Sequence, residues 1–562
     1  MKKIQRVLIC LLVACMILPF LASCNKKNQS GDYKKPPAEE NQQNNPSGGG
    51  DGGNSGNGGN SGNSGNGGNG NGGNDGPIGG EEPEDPDAGI VMPEIVDMEG
   101  YTYRAYVRIH AGDTLEEQLQ HGNNRYACID FWIDEANSEN DIISYAVYSR
   151  NNRIEADYNC KIRQVASNGS QIAHLTDAYI NGEGYDLTII SAKPAAQAAT
   201  QNLLRDLNSM EFIDLTHDAY DPNAVTELSF EDKLYYVSGD MNISTLEVAG
   251  LSLVNMDFYA DVAESIVETF DGDTAYADIY SLVTSKKWTM NTLMTIAELA
   301  NVDVDETDGP DLSVVDKGDK IGYHQYFNST IWYFYSSGGR ITTKGDSGIP
   351  ELTIHTPKNQ EIANYIYDHF NHVISVPWIP HGMSSLLNDN FLTGDVLFMD
   401  CALFEVRMEI YPRAEFEYGI LPCPIYEEGQ DYHSLVYFNN WAHLWAIPSR
   451  TVDLEKAQRM MQIMTVYSSL HESTMYAYYD RTIYLNAAPD NGSRGVIDMI
   501  RRSMVYDIAL MYNWGGLEDM LDNIATANSN PYGPAVNGIE ARVNPLIEET
   551  VWLLRAAASA TQ

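Results

Sequence analysis

The sequence predicts an α/β body carried at the end of a long flexible leash. Three observations lead there. An apolar leader with basic residues in front of it ends in a cysteine. A Gly/Asn/Ser tract follows, with almost no aliphatic side chains. The remaining chain alternates strand-like and helix-like segments, the pattern of crossover connections and mostly parallel sheets.

Lys2, Lys3 and Arg6 precede an apolar run over residues 7–20, and Leu21-Ala22-Ser23-Cys24 closes it. The run is too short and wrongly flanked for a stable membrane-spanning helix, so residues 1–23 read as a secretory leader. The Leu-Ala-Ser-Cys ending resembles the bacterial lipobox, which implies lipidation of Cys24 and a mature protein anchored at the extracellular face of the cytoplasmic membrane. An ordinary cleaved leader with a chance cysteine is the alternative. Residues 24–90 include strings such as Gly56-Asn57-Gly58-Gly59-Asn60. Such a segment cannot bury enough apolar surface to offset its ordering entropy, and as a coil it reaches about 45 Å. The acidic run Glu81-Glu82-Pro83-Glu84-Asp85-Pro86-Asp87 extends it by self-repulsion. A leash near a membrane partner and a plain spacer through the wall predict the same sequence.

The chain of 562 residues has a formal charge of −43. Its first ninety residues hold seven basic and ten acidic side chains, so the body carries −40. A surface that negative argues against nucleic acid and against adsorption to anionic lipid. Tyrosine is frequent, 35 against 14 phenylalanines, which suits sugars and peptides but also ordinary wet surfaces.

Within the body, the apolar run over residues 126–133 reads as a strand. Residues 141–158 have near-helical apolar spacing, 160–165 return to strand, and 172–180 to helix. Gly182-Glu183-Gly184 turns into a buried-type strand at Tyr185-Asp186-Leu187-Thr188-Ile189-Ile190. In sheets of this kind ligands bind beyond the carboxyl ends of strands. Cys128, Cys160, Cys401 and Cys423 are too few for a disulfide framework and read as buried thiols, with a Cys401–Cys423 bridge as the alternative. Asp303 to Asp311 is dense in carboxylates, but its glycine falls one place late for an EF-hand and no closing glutamate follows. It reads as a solvated loop, with calcium as the alternative; no other cofactor is expected. His369 and His372, three apart, read as helix surface rather than zinc ligands.

The string from Ala146 to Ile162 resembles the early helix and strand of extracellular solute-binding proteins of the sugar-binding, maltose-binding-protein-like class. Leu187-Thr188-Ile189-Ile190 with Leu203-Leu204-Arg205-Asp206-Leu207-Asn208 resembles their next unit, as does Asp232 to Asp240. Tyr418-Gly419-Ile420-Leu421-Pro422-Cys423-Pro424 and Leu444-Trp445-Ala446-Ile447-Pro448-Ser449 resemble the late strands. The resemblance spans roughly residues 100–515. It implies a two-lobed α/β fold of the type II periplasmic-binding-protein kind with a hinge and an interlobe cleft. Lobe one would hold 98–245 plus 436–500, and lobe two 246–435 plus 501–562. It further implies a monomeric carrier of carbohydrate, an oligosaccharide in class, that serves ABC permease subunits.

A neutral sugar offers apolar C–H faces and many hydroxyls, so its cleft needs aromatic platforms and fixed donors and acceptors. Strand ends and resemblance together select Lys193, Asp240, Tyr326, Asn328, Trp332, Asp400, Phe404, Asn440, Trp441 and Trp514 as ligand contacts. Each also has an ordinary packing or capping role open to it. No Gly-x-Ser-x-Gly, His-Glu-x-x-His or Gly-x-x-x-x-Gly-Lys string is present, so the expectation is not an enzyme. A glycan-cleaving enzyme, or a surface glycan-binding lipoprotein without a transport role, are the alternatives.

Overall fold

Strand order places the body around two four-stranded sheets, with two further two-stranded ones. A computed structural model describes residues 85–109, 114–120, 127–302, 319–326, 328–370, 384–437, 442–488, 490–524 and 527–560. Cys24, the leash up to residue 84, the acidic loop at 303–311, His372, Asn440 and Trp441 lie outside them, whereas residues 85–90, expected to belong to the leash, are described and Asp87 accepts from His471 N of the body. The described strands are β1 Tyr101–Arg108, β2 Cys160–Ser167, β3 Leu187–Ser191, β4 Gly250–Asn255, β5 Ile321–His324, β6 Thr342–Lys344, β7 Pro350–Leu352, β8 Val396–Ala402, β9 Tyr418–Pro422, β10 Ser434–Leu435, β11 His443–Ala446 and β12 Met504–Val505.

The first sheet has the order β11-β3-β1-β2, with β1 parallel to both neighbours and β11 antiparallel to β3. The second has the order β5-β8-β4-β9, with β4 antiparallel to both β8 and β9. The chain therefore leaves the first sheet after β3, builds the second, and returns at β11. This is the two-lobed α/β fold that the sequence leads one to expect, except that the sheets are mixed rather than mostly parallel, two of the three pairings in the second being antiparallel.

Local chemistry explains most elements. Asp141 caps the helix Ile142–Asp157 by accepting from Ser144 N, and Ser170 caps Gln171–Asn181 in the same way. Gly182 ends that second helix at φ 75°, a conformation open to glycine at no steric cost. Strand β3 is buried on both faces, as its unbroken apolar run implies.

The expected strand at 126–133 is instead a helix, Ala127–Phe131. Its last carbonyls are taken by side chains from a distant helix: Arg150 Nη2 donates to Asp130 O and Phe131 O, each at 2.9 Å, and Asn151 Nδ2 to Phe131 O at 2.9 Å. Those donors satisfy a helix end and leave no edge for pairing. The strand beside it is β1, whose Arg104 and Arg108 interrupt the apolar pattern although it is paired on both sides. Cys401 and Cys423 are free, buried thiols; β4 lies between their strands, pairing Leu251 with both Cys401 and Pro422. Among the described residues no helix is long and apolar enough to cross a membrane.

Candidate functional site at the crossovers

The two passages between the sheets run side by side. Val237 and Trp445 exchange backbone hydrogen bonds of 3.0 and 2.9 Å. Farther along, Ala249 bridges Val436. Between these ties, Asn242 Nδ2 and Thr245 Oγ1 both donate to His443 O, and His443 N donates back to Thr245 Oγ1 at 3.2 Å. The first passage thus carries the short helix Ile243–Leu246 pinned to the start of β11.

Polar groups from both lobes and the carboxyl-terminal segment meet beside these passages. Lys193 opens the helix Ala192–Thr200 at the end of β3, and its Nζ lies 2.6 Å from Glu518 Oε2 and 2.9 Å from Oε1. Glu518 and Asp522 stand four apart on the helix Leu517–Asp522, which places both on one face. Tyr437, at the start of the return passage, donates to Asp522 Oδ2 at 2.9 Å, and Thr330 Oγ1 donates to Asp522 O at 3.4 Å. Asp522 Oδ1 is buried without a hydrogen-bond partner. Burial, with the charges of Glu518 and Asp519 nearby, raises the Asp522 carboxyl to about 7 against the pull of Tyr437 and Lys193.

Aromatic side chains form the second-sheet wall. Tyr326 and Trp332 stack at 5.3 Å and 8°, and the Tyr326 hydroxyl donates to Glu405 Oε1 at 2.8 Å. Trp332 stands on the helix Ser329–Ser336 beside Thr330, and its ring lies against the backbone of Gly250, where any Cβ would clash. Trp332 Nε1 is buried without a hydrogen-bond partner. Asn328, buried, precedes the same helix. Phe404 is half-buried; its N–H donates to Glu247 O, and the Arg407 guanidinium lies 6.0 Å from its ring.

Three candidates lie in other surroundings. Asp400 is fully buried and accepts from four hydroxyls: Ser252 Oγ at 2.6 Å, Ser329 Oγ at 2.6 Å, Tyr333 at 2.7 Å, and Tyr323. It is enclosed by the second sheet rather than facing the junction. Asp240 joins Arg501, Nη2 to Oδ1 2.6 Å, in a separate cavity. Trp514 stacks on Tyr512 at 5.2 Å and 5°, and its Nε1 donates to Thr550 Oγ1 at 3.0 Å. It directly precedes Gly515 and Gly516, whose φ of 68° and 71° turn the chain into the Glu518 helix.

The junction thus unites Lys193 with the Tyr326–Trp332 segment, and adds Tyr437, Glu518, Asp522 and Glu405, which the sequence reading passed over. The signal for two of them was present: acids four apart right after an aromatic-Gly-Gly turn. Among the described residues no group of three or more His, Cys, Asp or Glu could hold a metal ion.

No protein-family model matches the chain, and no curated protein sequence matches it. Among solved structures, it is similar to a cyclo/maltodextrin-binding protein complexed with maltotetraose, at 13% identity and a TM-score of 0.49, over 82% of this chain and 97% of that one. It is also similar to an extracellular solute-binding protein from Staphylococcus aureus in complex with maltose, at 10% identity and a TM-score of 0.49, over 80% and 98%. A third is an ABC substrate-binding protein from Listeria monocytogenes in complex with cycloalternan, at 14% identity and a TM-score of 0.45, over 80% and 100%. All three were solved with a bound carbohydrate, and one of them is described as an ABC substrate-binding protein. At such identities and scores the likeness decides no ligand for this chain.

Proposed function

We propose that this chain is the extracellular, lipid-anchored solute-binding component of an ABC importer, and that it takes a neutral oligosaccharide at the junction of its two sheets. One observation carries the reading. Aromatic rings and under-used polar atoms gather beside the paired passages, with Lys193 at the end of a first-sheet strand, where relative movement of the lobes would open and shut a cleft. A sugar supplies what they lack. Its hydroxyls donate to Asp522 Oδ1 and accept from Trp332 Nε1, and its C–H faces pack on aromatic rings. Both atoms are buried as described, so the ligand enters an opened form and is favoured by tighter binding to the closed one. The leader ending in Cys24 supports the anchor, and the acidic body supports a neutral rather than an anionic sugar.

A glycan-library thermal-shift screen followed by calorimetry tests this. A true ligand at a hundredfold excess over its dissociation constant stabilises by about 2.7 kcal/mol. Trp332→Phe should weaken its binding tenfold with the fold intact. A library with no stabilising glycan, or a glycan that is cut on incubation, sinks the proposal. Labelled palmitate retained by Cys24→Ala removes the anchor, and unchanged uptake of the ligand on deletion removes the importer role.

A further inference from the structure

We infer that the cavity holding Asp240 and Arg501 is a second ligand site, separate from the junction, and that it takes a single neutral sugar ring. The cavity has a volume of about 280 Å³. That is just below the range of about 300–1,000 Å³ typical of small-molecule sites, room for one ring rather than a chain. It lies where the first passage between the sheets meets the carboxyl end of the helix Asn491–Arg502.

Its walls combine rings with fixed polar groups. Tyr479 and Tyr484 come from the π-helical segment Ala477–Ala487, and Tyr476 directly precedes it. A π-helical stretch is a rare conformation that is retained mostly where the altered spread of side chains has a use. The Arg501 guanidinium lies 4.9 Å over the Tyr479 ring while its Nη2 bonds Asp240 Oδ1 at 2.6 Å, so the cation is held from two sides. Only one Asp240 oxygen is taken by a described side chain, and the Tyr479 hydroxyl bonds to none. The cavity therefore offers a free acceptor, a free hydroxyl and a positioned guanidinium beside aromatic faces.

Charge narrows the class of ligand. Asp240, Asp480 and Asp87 line the cavity with Arg501 as the opposing cation, so carboxylated or phosphorylated ligands are repelled. Asp87 is fixed there because its Oδ1 accepts from His471 N at 2.7 Å. A hydroxyl-rich ring with apolar faces satisfies every wall.

Calorimetric titration of the full mature chain with glucose, galactose, mannose and N-acetylglucosamine tests the inference. At least one should bind. Tyr479→Phe, which keeps the ring, and Asp240→Asn should each weaken that binding at least fivefold, while Asp522→Asn leaves it unchanged. If Asp240→Asn does not fold, Tyr479→Phe alone decides. Binding by none of the four, binding that survives Tyr479→Phe, or binding lost in Asp522→Asn overturns the second site. Failure of the junction as a sugar site would show separately, as oligosaccharide binding unaffected by Asp522→Asn.

Discussion

Asp400, fully buried, and Asp522, partly buried, both accept from tyrosine hydroxyls, yet they sit in opposite situations. Around Asp400 four hydroxyls from β4, β5 and the helix Ser329–Ser336 use both carboxylate oxygens. Around Asp522 one hydroxyl uses one oxygen and the other has no partner. A saturated carboxylate joins secondary-structure elements and has nothing left to offer. An unsaturated one carries a desolvation cost that a ligand hydroxyl would relieve. The difference separates a structural acid from a binding acid more sharply than residue type or strand-end position does.

The largest effect should come from breaking the saturated member. Asp400→Ala strands four buried hydroxyls and should cost about 3 kcal/mol or more by urea unfolding. Its junction affinity should stay unchanged wherever the protein remains folded. Asp522→Asn should do the reverse, with a small change in melting temperature and a loss of oligosaccharide affinity of about tenfold, or about 1.4 kcal/mol. Equal stability losses in the two variants would erase the distinction.

A smaller effect lies in pH. Burial raises both Asp522 and Asp130 to about 7, so between about pH 4 and 7 the folded chain holds protons that the unfolded chain has released. Their contribution to stability is therefore greatest at low pH and is lost as pH rises through about 7. The melting temperature should be higher at about pH 5.5 than at about pH 8, and Asp522→Asn should flatten part of that slope. A steeper slope in the variant would contradict the raised carboxyl.

Much of the architecture was legible beforehand. Apolar spacing over 141–158 and 172–180 announced two helices, Gly182-Glu183-Gly184 announced a turn, and the apolar run after it announced β3. These are local signals, since each depends on residues within one turn of the chain. Residues 126–133 misled because the carbonyls of Ala127–Phe131 are satisfied by Arg150 and Asn151, partners about twenty residues away. Strand β1 was hidden by Arg104 and Arg108, whose side chains break an alternation that pairing on both edges does not require.

By itself the sequence determined the alternating α/β character of the body and its acidic charge, because periodicity and charge are properties of neighbours in the chain. Only the tertiary structure decided which acids are saturated and which are open. Asp400, Asp240 and Asp522 look alike in one dimension. What distinguishes them is the number of donors that folding brings to each, from residues as far away as Tyr437 from Asp522 or Arg501 from Asp240.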